Sequence, residues 1–298
     1  MIMRTTWDAL LASADVVVAD GGMGTMLIAR GLPRGTAPEL WNVERPDEVR
    51  AIHRAYIEAG AQIILTNSFG GNRLRLEPHG VTGRVAELNR AAAQLARAEA
   101  DAAPTPVLVA GSMGPTGQML APMGTLSFDD AVAAFAEQAA ALVQGGVDVL
   151  WIETMSDLEE VRAAVEGCRQ AAPDVPVVST MTFDTRGRTM MGVTPERAAQ
   201  EIGGLGVVAL GANCGKGPDE LEASIARMGS AGPVVPLIAK ANAGAPRLEG
   251  DHAVYDATPE DMAHYAQRVH ALGARIIGAC CGSTPEHIRA MAQVLRGE

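Results

Sequence analysis

One pattern repeats along the whole chain and limits the folds open to it. A short apolar run, rich in β-branched residues, is followed by a polar or Gly-containing turn and then by an Ala/Leu-rich amphipathic stretch. The runs are residues 16–20, 63–67, 107–112, 147–153, 177–183, 207–213, 236–242 and 275–280. Each is almost continuously apolar, as expected of parallel strands buried on both faces. The stretches between them read as helices with recognisable ends. Residues 46–59 open on Pro46 and Asp47, carry Val49, Ile52, Tyr56 and Ile57, and stop at Gly60. Residues 128–144 follow Ser127 as N-cap and end at Gly145 and Gly146. Residues 156–169, 194–202, 218–228 and 258–271 behave alike, and 285–295 follow the last run behind Thr284.

Eight strands alternating with eight helices, with no long insertion, predict an α/β fold: a single (β/α)8 TIM barrel rather than an open doubly wound sheet. The chain has 298 residues, 48% of them hydrophobic, enough for one such core. No Pro/Ser-rich linker, low-complexity run or charge block marks a boundary, so one domain is expected over residues 1–298. The net charge of −11 is spread along the chain, which argues against a nucleic-acid or anionic-membrane surface. No apolar block near the start has signal-peptide length, and nothing approaches the roughly 18 uninterrupted apolar residues of a membrane span. A cytoplasmic location is expected.

The unusual residues collect where the strands end. The first ends Asp20-Gly21-Gly22-Met23-Gly24-Thr25, the second Thr66-Asn67-Ser68-Phe69, the fourth Trp151-Ile152-Glu153-Thr154. The sixth ends Gly211-Ala212-Asn213-Cys214-Gly215, the seventh Lys240-Ala241-Asn242-Ala243-Gly244, the eighth Gly278-Ala279-Cys280-Cys281-Gly282. In a barrel these C-terminal strand ends converge on one rim, where active sites lie.

Four cysteines in a large, core-rich chain do not suggest a disulfide scaffold, and adjacent cysteines are poorly placed to bond to each other. Cys168, inside a helical stretch, reads as a buried core thiol. Cys214, Cys280 and Cys281 at strand ends suit Zn2+, which favours four tetrahedral ligands with thiolate at about 2.3 Å. No Cys or His is spaced to close the set, and three ligands with an open position are the catalytic pattern. Three thiolates leave such a centre anionic, poor at activating water and well suited to a fourth thiol, so attack by a substrate thiolate on an activated carbon is implied. Asp20 and Glu153 are acids ending apolar strands; an ammonium group would offset their burial, and strand-end hydrogen bonds are the alternative. The amides from Gly21 to Met23 form a candidate nest for a carboxylate. The turn does not fit the dinucleotide pattern, because its closing position is Leu27.

The segments at residues 20–25, 66–69, 211–214 and 278–288 resemble the homocysteine S-methyltransferase family, the resemblance running over residues 15–294. The family includes betaine–homocysteine methyltransferases, S-methylmethionine-dependent enzymes and the homocysteine-binding module of cobalamin-dependent methionine synthase. The resemblance implies the barrel, zinc on Cys214, Cys280 and Cys281, and homocysteine on Asp20 and Glu153, its carboxylate at the Gly21 and Met23 amides. Residues 37–43, 111–117 and 183–192 look most like short bacterial proteins described as betaine–homocysteine methyltransferases, so betaine is the expected methyl donor. There are departures. Gly-Ala-Cys-Cys-Gly stands where the family has Gly-Gly-Cys-Cys-Gly. Thr154 and Gly70 stand where animal betaine enzymes have tyrosines. Asn242-Ala243-Gly244 resembles the methionine synthase module, whose asparagine can take zinc's fourth position before homocysteine binds. S-methylmethionine, another onium compound or a methylcobalamin protein are the alternative donors, and a homo-oligomer or a cobalamin-protein partner the assemblies left open. Aromatic residues make up only 3% of the chain. Trp41 and Phe69 are the candidates to face a donor cation, with ordinary packing as the alternative for either.

Overall fold

The computed structural model describes residues 4–249 and 252–297; residues 1–3, 250–251 and 298 of the expected domain lie outside it. Eight parallel strands form one sheet in the order β1-β10-β7-β6-β5-β4-β3-β2. They are β1 Val17–Val18, β2 Ile63–Leu65, β3 Leu108–Met113, β4 Val149–Met155, β5 Val177–Met181, β6 Ala209–Cys214, β7 Leu237–Ala241 and β10 Ala274–Ala279. The first and second strands close the ring: Ala19 bridges Ile63, Gln62 N donates to Val18 O at 2.7 Å, and Asp20 N donates to Ile63 O at 2.9 Å. The fold is therefore the (β/α)8 barrel and not an open sheet.

Side chains alternate along each strand between the barrel interior and the surrounding helices. Val17, Ile63, Leu108, Val149, Val178 and Ile276 share one interior cluster, with Trp151 fully buried in it. Trp7 and Leu10, from the helix Trp7–Ser13, join that cluster, so the N-terminal helix packs against the interior. Two or four residues further along, the same inward phase brings Ser112, Glu153, Asn213 and Lys240. The change from apolar to polar interior thus follows from the period of two.

The helices begin close to where the sequence places them. Ser127, Asp157, Thr194 and Thr258 each accept from a backbone amide at a helix start. The eighth expected helix and one further element were not located from the sequence. The helix Val85–Ala102 lies between β2 and β3, packing on an alanine face of Ala92, Ala93, Ala96 and Ala100. A short antiparallel hairpin, β8 Arg247–Glu249 with β9 His252–Val254, is inserted after β7. No helix among the described residues is long and apolar enough to cross a membrane.

Gly211 of β6 pairs with Ile238 of β7, and a Cβ there would land on the Ile238 backbone. Gly24, in an exposed helical turn, has nothing within 4 Å of the same construction. Gly211→Ala is expected to lower unfolding free energy by about 1–3 kcal/mol or more through overpacking, while Gly24→Ala leaves it equal or slightly raised. Denaturant unfolding of both variants checks this; equal stability of Gly211→Ala and the parent would contradict the close approach.

Candidate active site and metal centre

The sheet order places only β7 between β6 and β10, and Ala241 of β7 pairs with both Cys214 and Ala279. Cys214 is the last residue of β6, and Cys280 and Cys281 follow β10 directly. Register therefore brings the sequence-distant thiols to one level. The sulfur atoms of Cys214, Cys280 and Cys281 all lie within 4.8 Å of one another, so the trio fits a metal site. The local backbone aims them. Cys214 adopts φ 66°, a left-handed conformation uncommon outside glycine, and Gly215 follows at φ 74°. Cys280 N donates to Ala241 O at 2.7 Å and Cys281 N to Asn242 Oδ1 at 3.0 Å. Hydrogen bonds from Cys280 and Cys281 pull the Cys214 thiol well down, while the same contact and burial push Cys280 up. Cys168 stands apart: it is fully buried, contacts Met113 Sδ at 3.7 Å, and burial pushes its thiol up to about 12.

Asp20 and Glu153 are also brought into the barrel top, and a third charge joins them. Lys240 Nζ donates to Asp20 Oδ1 at 2.8 Å, with both side chains 2% exposed. Asp20 Oδ2 accepts from Leu65 N at 2.7 Å. The Lys240 ammonium also lies 5.5 Å from the centre of the Trp151 ring. Burial alone would lower the Lys240 pKa, but Asp20 and Glu153 outweigh it and hold it above its ordinary value. Glu153 Oε1 accepts from the Ser112 hydroxyl at 2.5 Å, and Oε2 lies 3.4 Å from Asn213 Nδ2. Burial pushes the Glu153 carboxyl up, opposed by Lys240 and Ser112.

Asn213 ties this layer to the strand ends. Its Oδ1 accepts from Thr154 N and from the Thr180 hydroxyl, each at 2.8 Å, and its Nδ2 donates to Thr154 Oγ1 at 2.7 Å. These bonds hold Thr154 at φ 62°, an outlier for a β-branched residue. Asn242 Nδ2 donates to Gly215 O at 2.7 Å and reaches Cys214 Sγ at 3.5 Å. Around the first turn, Gly22 N donates to Ser283 Oγ at 2.9 Å, leaving Gly21 and Met23 as its neighbouring amides. A side chain at Gly21 would collide with Ser283 and Tyr56.

Trp41 is 4% exposed and has the Arg45 guanidinium 5.4 Å from the centre of its ring, which favours the packing alternative over a face for a donor. Phe69 remains 37% exposed. Sequence reasoning missed Lys240, Ser112 and Asn213 as members of the site. Lys240 had one signal, a lysine in the inward phase of an otherwise apolar strand, two residues from Ile238. A cavity of about 520 Å³ is lined by residues such as Trp7, Asp148 and Val177 and holds none of the clustered thiols.

Comparison with known proteins agrees with this geometry. Residues 17–295 match the homocysteine S-methyltransferase family, and the chain belongs to that family. It is 35% identical over 294 residues to a methionine synthase of Mycobacterium tuberculosis, covering 94% of this chain and 24% of that protein. A Mycobacterium leprae methionine synthase is 35% identical over 291 residues, with 93% and 24% covered. The chain thus spans about a quarter of the length of these relatives. The metallated form of the homocysteine methyltransferase MmuM from Escherichia coli superposes with a TM-score of 0.80 at 28% identity, covering 95% of this chain and 98% of that one.

The Asp20–Lys240 pair generates a test of the site's electrostatics. Removing one partner of a buried pair typically costs about 3–5 kcal/mol. Lys240→Met is expected to lose stability of that order at neutral pH, and adding Asp20→Asn should recover most of it. A double-mutant cycle by denaturant unfolding reads the coupling; additive losses would show that the two side chains do not support each other.

Proposed function

We propose that the chain transfers a methyl group to the sulfur of homocysteine at a zinc ion held by Cys214, Cys280 and Cys281, with betaine as the donor. The observation that carries this reading is the sulfur trio, brought within 4.8 Å with no fourth Cys, His, Asp or Glu in the group among the described residues. Soft thiolates in a three-ligand set with an open position suit zinc. When bound, zinc supplies a centre that keeps a substrate thiol deprotonated at neutral pH.

The protein's own residues bind and orient the substrate. Asp20 and Glu153 set two carboxylates against the single Lys240 cation, and the ammonium of an amino-acid substrate balances the remaining charge. Glu153 is the more available acceptor, since Oε2 has only the 3.4 Å contact with Asn213. Asp20 keeps acceptor capacity beyond Lys240 and Leu65 N. The Gly21 and Met23 amides receive the substrate carboxylate. In the methyl-transfer step a sulfur–carbon bond forms as the carbon–nitrogen bond of betaine breaks, leaving methionine and dimethylglycine. Negative sulfur and positive nitrogen are both neutralised, which a dry site favours, and the protein's task is to hold sulfur, methyl carbon and nitrogen in line. Phe69, exposed just after the second strand, is the better placed of the two aromatic candidates to face the donor cation.

A second reading has its own support. The curated relatives are methionine synthases of which this chain matches a quarter; Thr154 and Gly70 depart from the animal betaine pattern, and Asn242 resembles the methionine synthase module. In that reading the chain activates homocysteine and receives its methyl group from a methylcobalamin protein, as a partner or as part of a larger assembly. S-methylmethionine or another onium donor would need no partner.

Metal analysis tests the centre. Zinc is expected at one per chain, lost in Cys280→Ala and retained in Cys168→Ala; full occupancy in Cys280→Ala would remove the assignment. The donor is tested by incubating zinc-loaded protein with homocysteine and each donor separately and scoring methionine. Betaine alone is expected to support turnover, with Phe69→Ala raising its KM about two- to fivefold, the worth of an exposed cation–aromatic contact. Glu153→Gln should weaken homocysteine binding in calorimetry. Methionine formed only after addition of a methylcobalamin protein would select the second reading.

A further inference from the structure

Phe69 is carried by residues 66–72, an irregular turn between β2 and the short helix Arg73–Leu76. Buried backbone outside helices and strands needs partners for its polar groups. Here amide side chains from two helices supply them. Gln138, on the helix Phe128–Gly145, is fully buried, and its Nε2 donates to Ser68 O at 2.7 Å. The same nitrogen reaches Asn89 Oδ1 at 3.2 Å and Ser112 O at 3.4 Å. Asn89, on the helix Val85–Ala102, is also fully buried, and its Nδ2 donates to Gly71 O at 2.8 Å. Under the onium-donor reading, on which this rests, we infer that Gln138 is a positioning residue for the methyl donor: with Asn89 it grips the backbone on both sides of Phe69 and so sets where that ring stands.

The fit of the turn against the two amides is close. A Cβ at Gly71 would fall 2.4 Å from Asn89 Oδ1 and 2.9 Å from Gln138 Nε2, so a side chain there would push both away. The ring of Phe69 lies against Gly114. Gly114 N donates to Phe69 O at 2.9 Å, and a Cβ at Gly114 would fall 2.6 Å from the ring. Gly70 N donates to Glu39 Oε1 at 2.7 Å. Ser68 and Gly71 are buried on either side, and Phe69 is the exposed residue of the turn.

The same frame meets the homocysteine side at Ser112. Ser68 Oγ donates to Ser112 O at 2.7 Å, and the Ser112 hydroxyl donates to Glu153. Ser112 does not depend on Gln138 for its own place. It lies within β3, pairs with Trp151 of β4, and donates from its amide to Thr66 Oγ1 at 3.0 Å. Loss of the Gln138 amide therefore loosens the turn that carries Phe69 and leaves Glu153 held.

Gln138→Met keeps the length of the side chain and removes the amide. On zinc-loaded protein its KM for betaine is expected to rise about two- to fivefold, the worth of the Phe69 contact and no more, with homocysteine affinity in calorimetry unchanged. In a Phe69→Ala background the same substitution should raise KM no further. Multiplying effects in the double variant would show Gln138 acting elsewhere and overturn the inference, as would an unchanged KM or an equal loss of homocysteine affinity. Hydrogen exchange read by mass spectrometry gives a measure independent of turnover. Amides of residues 68–72 should exchange about two- to tenfold faster in Gln138→Met, the worth of one hydrogen bond. Those of β6, four strands from β2 either way round the ring, should keep the parent rate. Equal acceleration in both would reduce Gln138 to general packing and overturn the inference. Should Gln138→Met not fold, Asn89→Ala, which removes the anchor on Gly71, is read in the same ways. A parent protein that forms no methionine from betaine would overturn the donor reading, and this inference with it, before any variant is made. A parent that does so, with a variant that keeps its KM, overturns the inference alone.

Discussion

The Asp20–Lys240 ion pair ties the end of the first strand to the seventh, across the one strand between them, at the level where the barrel interior changes character. Asp20 follows the first strand, Lys240 lies on the seventh, and the second oxygen of Asp20 takes the amide of Leu65 on the second. Below the pair the interior is apolar, ending in Trp151, whose ring faces the lysine ammonium. Beyond it in the strand direction come the polar strand ends and the sulfur trio. Apolar residues of similar volume would fill the same space at equal or lower cost in stability. A buried pair in this place is therefore better understood as setting charge than as holding the barrel closed.

That charge setting links the acids to the sulfurs. Lys240 answers one carboxylate in full and attracts the second, Glu153, which is held by Ser112 on the neighbouring strand. The same ammonium also feels the Cys280 sulfur. Acids, lysine and thiols thus form one connected electrostatic unit, built from the inward-facing positions of adjacent strands. A change at any member alters the charge that the others experience, in a medium where such effects are much larger than in water.

Strain marks the same region. Among the described residues, Thr154 and Cys214 are two of the three non-glycine residues with positive φ, and both lie at strand ends in the site. Such conformations cost on the order of 1–3 kcal/mol and persist only where the surroundings over-determine them. Asn213 provides that over-determination. Its side chain binds Thr154 through both amide atoms, and its backbone precedes Cys214 directly. The scarcity of aromatic residues shapes the rim in another way. With Trp41 covered by Arg45, few ring faces remain for a cationic ligand.

Much of this architecture was legible without coordinates because it is local. The apolar runs, the caps at Ser127, Thr194 and Thr258, and the terminating glycines depend on residues a few positions apart. The period of two determines which side chains of a strand face inward, and a closed barrel gathers all strand ends on one rim, so Cys214, Cys280, Cys281, Asp20 and Glu153 could be picked out together. The helix Val85–Ala102 escaped because its buried face mixes small alanines with Asn89, Arg97 and Glu99, which interrupt the apolar stripe. The hairpin after β7 escaped because each arm is only three residues long. What the tertiary structure alone decided is who meets whom. Asp20 finds its cation 220 positions away, Asn213 bridges strands 59 residues apart, and Arg45 takes the face of Trp41. Sequence spacing carries the direction a side chain points, but its partner across the barrel is set by strand order, register and closure, which exist only once the chain has folded.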